Sequence, residues 1–157
     1  DVVDVLLESL RPTGAARILL VGVGAMAAEA YEAGRLLQQE GRAVTVVHPH
    51  WVIPAPAPLV AAAADVDVVV VVEDGLVDGG IGSQLRDAVE EYQAARSGTG
   101  GSPVFRRIGI PRRFVDTATR AQLMEDFGMR AVDIAQAACR AADGVAGART
   151  DQDLGAE

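Results

Sequence analysis

Lysine is missing from this chain, and all 14 basic residues are arginine. Its absence excludes Schiff-base catalysis and the lysine that a Walker-type phosphate loop requires. Cysteine is almost missing: Cys139 stands alone, so no intrachain disulfide forms and a reducing cytoplasm is the expected setting. Its place in the run IAQAACRAA marks it as a buried helix residue. Aromatic residues make up only 4% against 50% hydrophobic, so a core must be assembled from Val, Leu, Ile and Ala, as in a sheet covered on both faces. No apolar run reaches the roughly 18 residues of a membrane span, and the start DVVDVLLESL carries acids where a secretory signal carries bases. A formal charge of -8, with the arginines scattered, argues against nucleic acid as a partner. The chain begins at Asp1 rather than at methionine, the start expected of a fragment or a processed product.

What is present reads as one α/β domain, since 157 residues suffice to bury a core without staples. Residues 1–16 form a lead-in or edge strand, Val2 to Leu7, closed by a Pro12, Thr13, Gly14 turn. Residues 17–143 carry the domain. The run ILLVGV predicts a buried parallel strand, followed by a helix from Met26 to Gln39 that Gly41 stops. AVTVV from Ala43 is the second strand, ending in a passage where Pro49, Pro54, Pro56 and Pro58 forbid continuation. A short helix over Leu59 to Ala64 leads to the third strand, Asp67 to Val72, whose five consecutive valines belong in the middle of the sheet. After the Gly79, Gly80, Gly82 cluster comes a helix over Ile81 to Arg96. Ser97 to Ser102 predicts a disordered loop, and Pro103 to Ile110 the fourth strand. Thr119 and Gln122 predict a capping box for a helix over Arg120 to Phe127, with Val132 to Ala142 as the last helix. From Gly144 to Glu157 glycine, alanine and acids predict a disordered tail. The expected architecture is a three-layer parallel sheet of about four strands plus one edge strand.

Several constellations carry chemical potential. Gly22-Val23-Gly24 sits at a strand-to-helix turn where amides can hold a phosphate, but Ala27 replaces the third glycine of a dinucleotide fingerprint, and a tight turn is the preferred reading. His48 and His50 flank a proline and, with Glu73 and Asp74 from the neighbouring strand end, could supply a mixed metal site, but two nitrogens do not make one and a solvated rim is the preferred reading. Glu73 and Asp74 are adjacent on a strand and so point to opposite faces, which denies them a joint acid/base role. Ser83, early in a helix, makes no nucleophile elbow. Arg106, Arg107, Arg112 and Arg113 bracket Gly109-Ile110-Pro111, either as ion pairs at a domain or subunit contact or as a grip on an anion. Trp51, the only tryptophan, fastens its loop to the core or to a partner.

Taken in order, Arg17 to Met26 (RILLVGVGAM), Thr45 to Pro54 (TVVHPHWVIP), Val68 to Leu85 (VVVVVEDGLVDGGIGSQL) and Ile108 to Phe114 (IGIPRRF) resemble one known domain. It is the C-terminal domain of the transketolase-like, thiamine-diphosphate-dependent enzymes, with the nearest likeness to the 1-deoxy-D-xylulose-5-phosphate synthase family. The family's VGxMA falls at Val23 to Ala27, its D-P-R-W-V-x-P passage at His48 to Pro54, and its V-E-D-x strand end with a G-G-x-G helix start at Val72 to Gly82. Its G-I/L-P-x-x-F falls at Gly109 to Phe114, followed by Thr119 and the turn Phe127 to Met129. His48 stands in place of the family's usual aspartate and His50 in place of its arginine, and Ser97 to Ser102 lengthens a connection.

The resemblance implies a structural and assembly domain of an enzyme that condenses pyruvate with glyceraldehyde 3-phosphate to 1-deoxy-D-xylulose 5-phosphate and CO2, for isoprenoid precursors. Thiamine diphosphate and magnesium would be held by the preceding domains, so no catalytic, cofactor-binding or metal residue is assigned to this chain, and alone it is expected to be inactive. Its partners would be those preceding domains and a second copy in a homodimer. The alternatives are another transketolase-like enzyme, including a dehydrogenase E1 beta subunit, or a stand-alone small-ligand-binding regulatory module using Glu73, Asp74 and the Gly79 to Gly82 turn.

Overall fold

The computed structural model describes residues 2–9, 14–96 and 101–154, with side chains as far as residue 148. Four parallel strands form its centre: β2 (Arg17–Gly22), β3 (Ala43–Pro49), β4 (Val68–Leu76) and β5 (Val104–Ile110). The first strand, β1 (Val3–Glu8), pairs antiparallel with β3, giving the order β1-β3-β2-β4-β5. Each parallel connection needs a crossover, and the helices supply them. A 3-10 turn, Gly24–Met26, leads into α1 (Ala27–Gln39); α2 (Ala57–Ala64) joins β3 to β4, and α3 (Ile81–Ala95) joins β4 to β5. Two helices follow β5, α4 (Arg120–Asp126) and α5 (Ala131–Leu154).

Strand alternation divides the core into two layers of apolar packing. Ile18, Leu20, Val44, Val46, Val68, Val70 and Val72 meet α1, α4 and α5 on one face. Leu19, Val21, Val47, Val69 and Val71 meet α2 and α3 on the other. Because both faces of β2 and β4 are covered, their side chains form continuous buried runs, which is the three-layer fold that the valine-rich composition predicts. Each fully buried Val or Leu contributes about 1.5–3 kcal/mol of transfer free energy, so these two strands anchor the domain.

Details depart from expectation in instructive ways. The valine strand lies inside the sheet, between β2 and β5, but β2 is the middle strand of the five. It also extends to Leu76 rather than stopping at Val72: residues 73–75 bulge out where only Gly109 opposes them, and pairing resumes at Leu76 and Ile110. The last helix does not stop at Ala142. It continues to Leu154, so the segment expected to be disordered from Gly144 is helical that far. Ala141 and Ala142 are buried and Val145 packs on the same cluster, and extending a helix already nucleated by Ile134 and Ala138 outweighs the roughly 1 kcal/mol cost of each glycine. Pro12 and Thr13 of the predicted turn, residues 97–100 of the predicted loop and 155–157 of the tail lie outside the described residues. The capping box at Thr119 and Gln122 is present, with Thr119 Oγ1 accepting from the Gln122 amide and Gln122 Oε1 from the Thr119 amide.

Gly34 in α1 shows how close the layers lie, since a Cβ there would collide with Val46 Cγ2 of β3. Alanine is the better helix former by about 1 kcal/mol, but Val46 is buried and stiff at χ1. Gly34→Ala should therefore lower the midpoint of chemical unfolding, against its helix propensity; an unchanged or raised midpoint would show that the helix and sheet are less tightly packed than described.

Candidate functional site

In open α/β sheets, ligands gather at the carboxyl ends of the strands where the strand order reverses. Here that point lies between β2 and β4. Glu73 follows the five valines at the bulge of β4 and is the one charged residue buried among the described residues, 5% exposed. Its Oε2 accepts the Ile81 amide at 2.9 Å and its Oε1 the Gly82 amide at 3.2 Å. These are two of the free amides at the start of α3, whose N-cap is Gly80 and so offers no side-chain cap. The carboxylate of a preceding strand thus does the work of a capping side chain, with the helix dipole in its favour. Space for it is made by missing side chains: a Cβ on Gly80 would strike both Glu73 oxygens, and one on Gly109 would sit 2.8 Å from the Gly75 carbonyl and 3.0 Å from that of Glu73.

The next residue turns the other way. Asp74 Oδ2 accepts from Arg120 Nη2 of α4 at 2.9 Å, and the same guanidinium lies against the Met26 and Met124 sulfurs at 3.5 and 2.8 Å. Arg120 therefore spans the reversal point from the side opposite Glu73. Below it, the Val23 amide donates to the Val72 carbonyl at 2.9 Å and ties the turn after β2 to β4. The Gly22-Val23-Gly24 motif is a packing turn in this geometry: a Cβ on Gly22 would lie 2.8 Å from Ala27 Cα and from Ala30 Cβ, while Gly24 adopts φ +55°.

His48, His50, Glu73 and Asp74, the alternative metal constellation, do not come together. His48 Nδ1 meets the Gly22 carbonyl at 2.9 Å, whereas His50 Nε2 pairs with Asp4 Oδ2 of β1 at 2.9 Å. That hydrogen bond from His50 holds the Asp4 carboxyl below the usual carboxylate range. With Glu73 spent on amides and Asp74 on Arg120, no three His, Cys, Asp or Glu converge on a metal position among the described residues. The four arginines disperse as well. Arg107 donates to the Val77 carbonyl and Ser83 Oγ, Arg106 to the Phe105 carbonyl, and Arg113 stacks 5.4 Å from the Phe127 ring centre. Cys139, half-buried in α5, sits 3.2 Å from Glu40 Oε2; burial and that carboxyl push its thiol up to about 11, so it is no nucleophile at neutral pH.

Trp51 does not fasten its loop to the core, being 55% exposed. It has company. Ile53 beyond β3, Leu76 at the end of β4, and Phe114 and Val115 beyond β5 are all exposed, and all belong to the carboxyl edge of the sheet. That edge combines a crevice occupied by Glu73 and Arg120 with a rim of exposed apolar side chains. Sequence reasoning placed Glu73 and Asp74 at this edge but missed both partners. The available signal was an acid ending a buried strand, followed by a glycine-initiated helix without a capping residue.

The fold and this edge define an α/β domain of the kind that ends the transketolase-like chains. The chain belongs to the family described as transketolase, C-terminal domain, whose pattern matches residues 9–134. It is 38% identical over 135 residues to a 1-deoxy-D-xylulose-5-phosphate synthase of Rhodococcus jostii (strain RHA1), covering 86% of this chain and 19% of that protein. To the synthase of Kocuria rhizophila it is 39% identical over 140 residues, 87% of this chain and 20% of the other. A solved split gene transketolase, an inactive beta4 tetramer, superposes with a TM-score of 0.66 at 27% identity, over 82% of this chain and 39% of that one. The chain spans about a fifth of the length of the curated relatives it matches.

If the rim is a surface rather than a core, its residues contribute little to folding. Trp51→Ala and Phe114→Ala should each change the unfolding free energy of this chain by no more than about 0.5 kcal/mol. A loss of several kcal/mol in urea unfolding would return Trp51 or Phe114 to the core.

Proposed function

We propose that this chain is the C-terminal assembly domain of a thiamine-diphosphate-dependent synthase that condenses pyruvate with glyceraldehyde 3-phosphate to 1-deoxy-D-xylulose 5-phosphate and CO2. The carrying observation is the carboxyl edge: Glu73 and Arg120 fill the crevice where such folds take ligands, while Trp51, Ile53, Leu76, Phe114 and Val115 stand exposed around it. Similarity to two synthases at 38% and 39% identity supports the choice of reaction over other transketolase-like chemistries.

The residues present do not fit thiamine diphosphate or magnesium. Magnesium takes carboxylate and phosphate oxygens in near-octahedral geometry. Glu73 and Asp74 already hold amides and an arginine, and the glycine turn after β2 is filled by helix packing. In this reading the cofactor and its metal belong to the part of the synthase that this chain does not cover, and the domain contributes no catalytic residue. Its partners are the preceding domains of the same polypeptide and a second copy in a homodimer, met through the apolar rim. A cytoplasmic setting goes with the reading, in keeping with a single, unpaired cysteine. A stand-alone regulatory module built on Glu73, Asp74 and Gly79 to Gly82 is disfavoured because those carboxylates already have partners inside the domain.

A hybrid tests the proposal. The Rhodococcus jostii synthase with its matching C-terminal segment replaced by this chain should form 1-deoxy-D-xylulose 5-phosphate from pyruvate and glyceraldehyde 3-phosphate. A hybrid that folds and assembles yet makes no product would contradict it, as would micromolar binding of thiamine diphosphate to the isolated chain by calorimetry.

A further inference from the structure

The opposite end of the sheet carries a groove of about 620 Å³, between the amino ends of β4 and β5 and the second half of α5. Its size lies within the range of small-molecule sites. Arg17, Asp65, Asp67, Arg106 and Arg140 reach it, and their pairing is uneven. Arg17 holds Asp65 at 3.1 Å and Asp67 at 3.8 Å, and its own amide donates to Asp67 Oδ2 at 2.7 Å, so one guanidinium serves both carboxylates. Arg106 reaches only the Phe105 carbonyl, at 3.2 Å, and Arg140 has no hydrogen-bond or ion-pair partner among the described residues. Arg42, Arg86, Arg120 and Arg130 hold Asp143, Glu90, Asp74 and the pair Glu125 and Asp133, whereas Arg107 and Arg113 meet only neutral groups. On a chain of net charge -8, the groove lining carries three arginines against two aspartates, a local net charge of +1, with Arg106 and Arg140 as the two guanidiniums that hold no carboxylate.

The fold puts them there together. Arg106 alternates along β5 with Val104 and Ile108, both packed on the α5 face of the sheet, so it emerges on that face at the open edge of β5. Arg140 precedes Ala141, Gly144 and Ala148, whose small side chains form the helical wall and leave the space open. A guanidinium fork matches phosphate oxygens two at a time, and two such forks on an otherwise acidic protein suit a compact anion rather than a nucleic-acid backbone.

We propose that this groove binds a small phosphorylated molecule through Arg106 and Arg140, at the end of the sheet away from the apolar rim. The site is independent of which reaction the longer protein catalyses. Inorganic pyrophosphate is the probe, titrated calorimetrically into this chain at constant ionic strength, with sodium chloride as the control for screening. One saturable site is expected, weakened at least about tenfold by Arg106→Ala and by Arg140→Ala, the loss of one charge-assisted contact each. Arg112→Ala, an exposed arginine beyond the other end of β5, should leave the affinity unchanged. Thermal melts of each variant establish that it folds. No saturable binding, heats that follow ionic strength alone, or equal affinity in the Arg106→Ala/Arg140→Ala double variant would overturn the proposal.

Discussion

A carboxylate removed from water is tolerated only when its charge is met by donors, and Glu73 meets this demand with the amides of Ile81 and Gly82. Much of the domain is arranged around that exchange. Glu73 directly follows the valine run of β4, so the bond fixes where α3 begins relative to that strand, and Leu85 and Val89 then fall onto Leu19, Val21, Val69 and Val71. The bulge of residues 73–75 lets the side chain turn toward the helix while pairing resumes at Leu76. Gly80 and Gly109 keep the carboxylate's surroundings free of side chains. The V-E-D and G-G-x-G passages are thus two halves of one contact rather than independent motifs.

That contact also shapes function. Once Glu73 is spent on α3 and Asp74 on Arg120, the place where a doubly wound sheet ordinarily holds a ligand is filled from both sides. Around it stand exposed apolar side chains, the surface through which we propose assembly. The amino edge differs in character, with charge instead of apolar side chains and a groove instead of a filled crevice. The two proposals, assembly at one end of the sheet and an anion at the other, thus use opposite edges of a common core.

Much of this was legible in the sequence because local and global preferences agree. Five valines in a row have no stable place except a strand covered on both faces, and the glycine stops after α1 and α4 coincide with positive φ at Gly41 and Gly128. The misreadings have physical causes. Gly144 and Gly147 look like the end of a helix, but packing of Val145 on a helix already formed overrides their propensity. Of the two readings for Trp51, the core is excluded by its exposure, because the proline passage beyond β3 carries it past the packed layers. Glu73 beside Asp74 reads as a solvated rim, because a buried acid and an exposed one are indistinguishable until the helix that donates to one of them is in place.

The role of Glu73 is best tested by Glu73→Gln, which keeps shape and removes charge. A glutamine presents one oxygen and one NH2 to two amide donors, so one amide loses its acceptor and the other a charged one. Equilibrium unfolding in urea should show a loss of about 1.5–3 kcal/mol, the range for hydrogen bonds to charged groups, with faster amide exchange at Ile81 and Gly82. A variant within about 0.5 kcal/mol of the parent, with exchange at those two amides unchanged, would contradict the claim that this carboxylate positions α3.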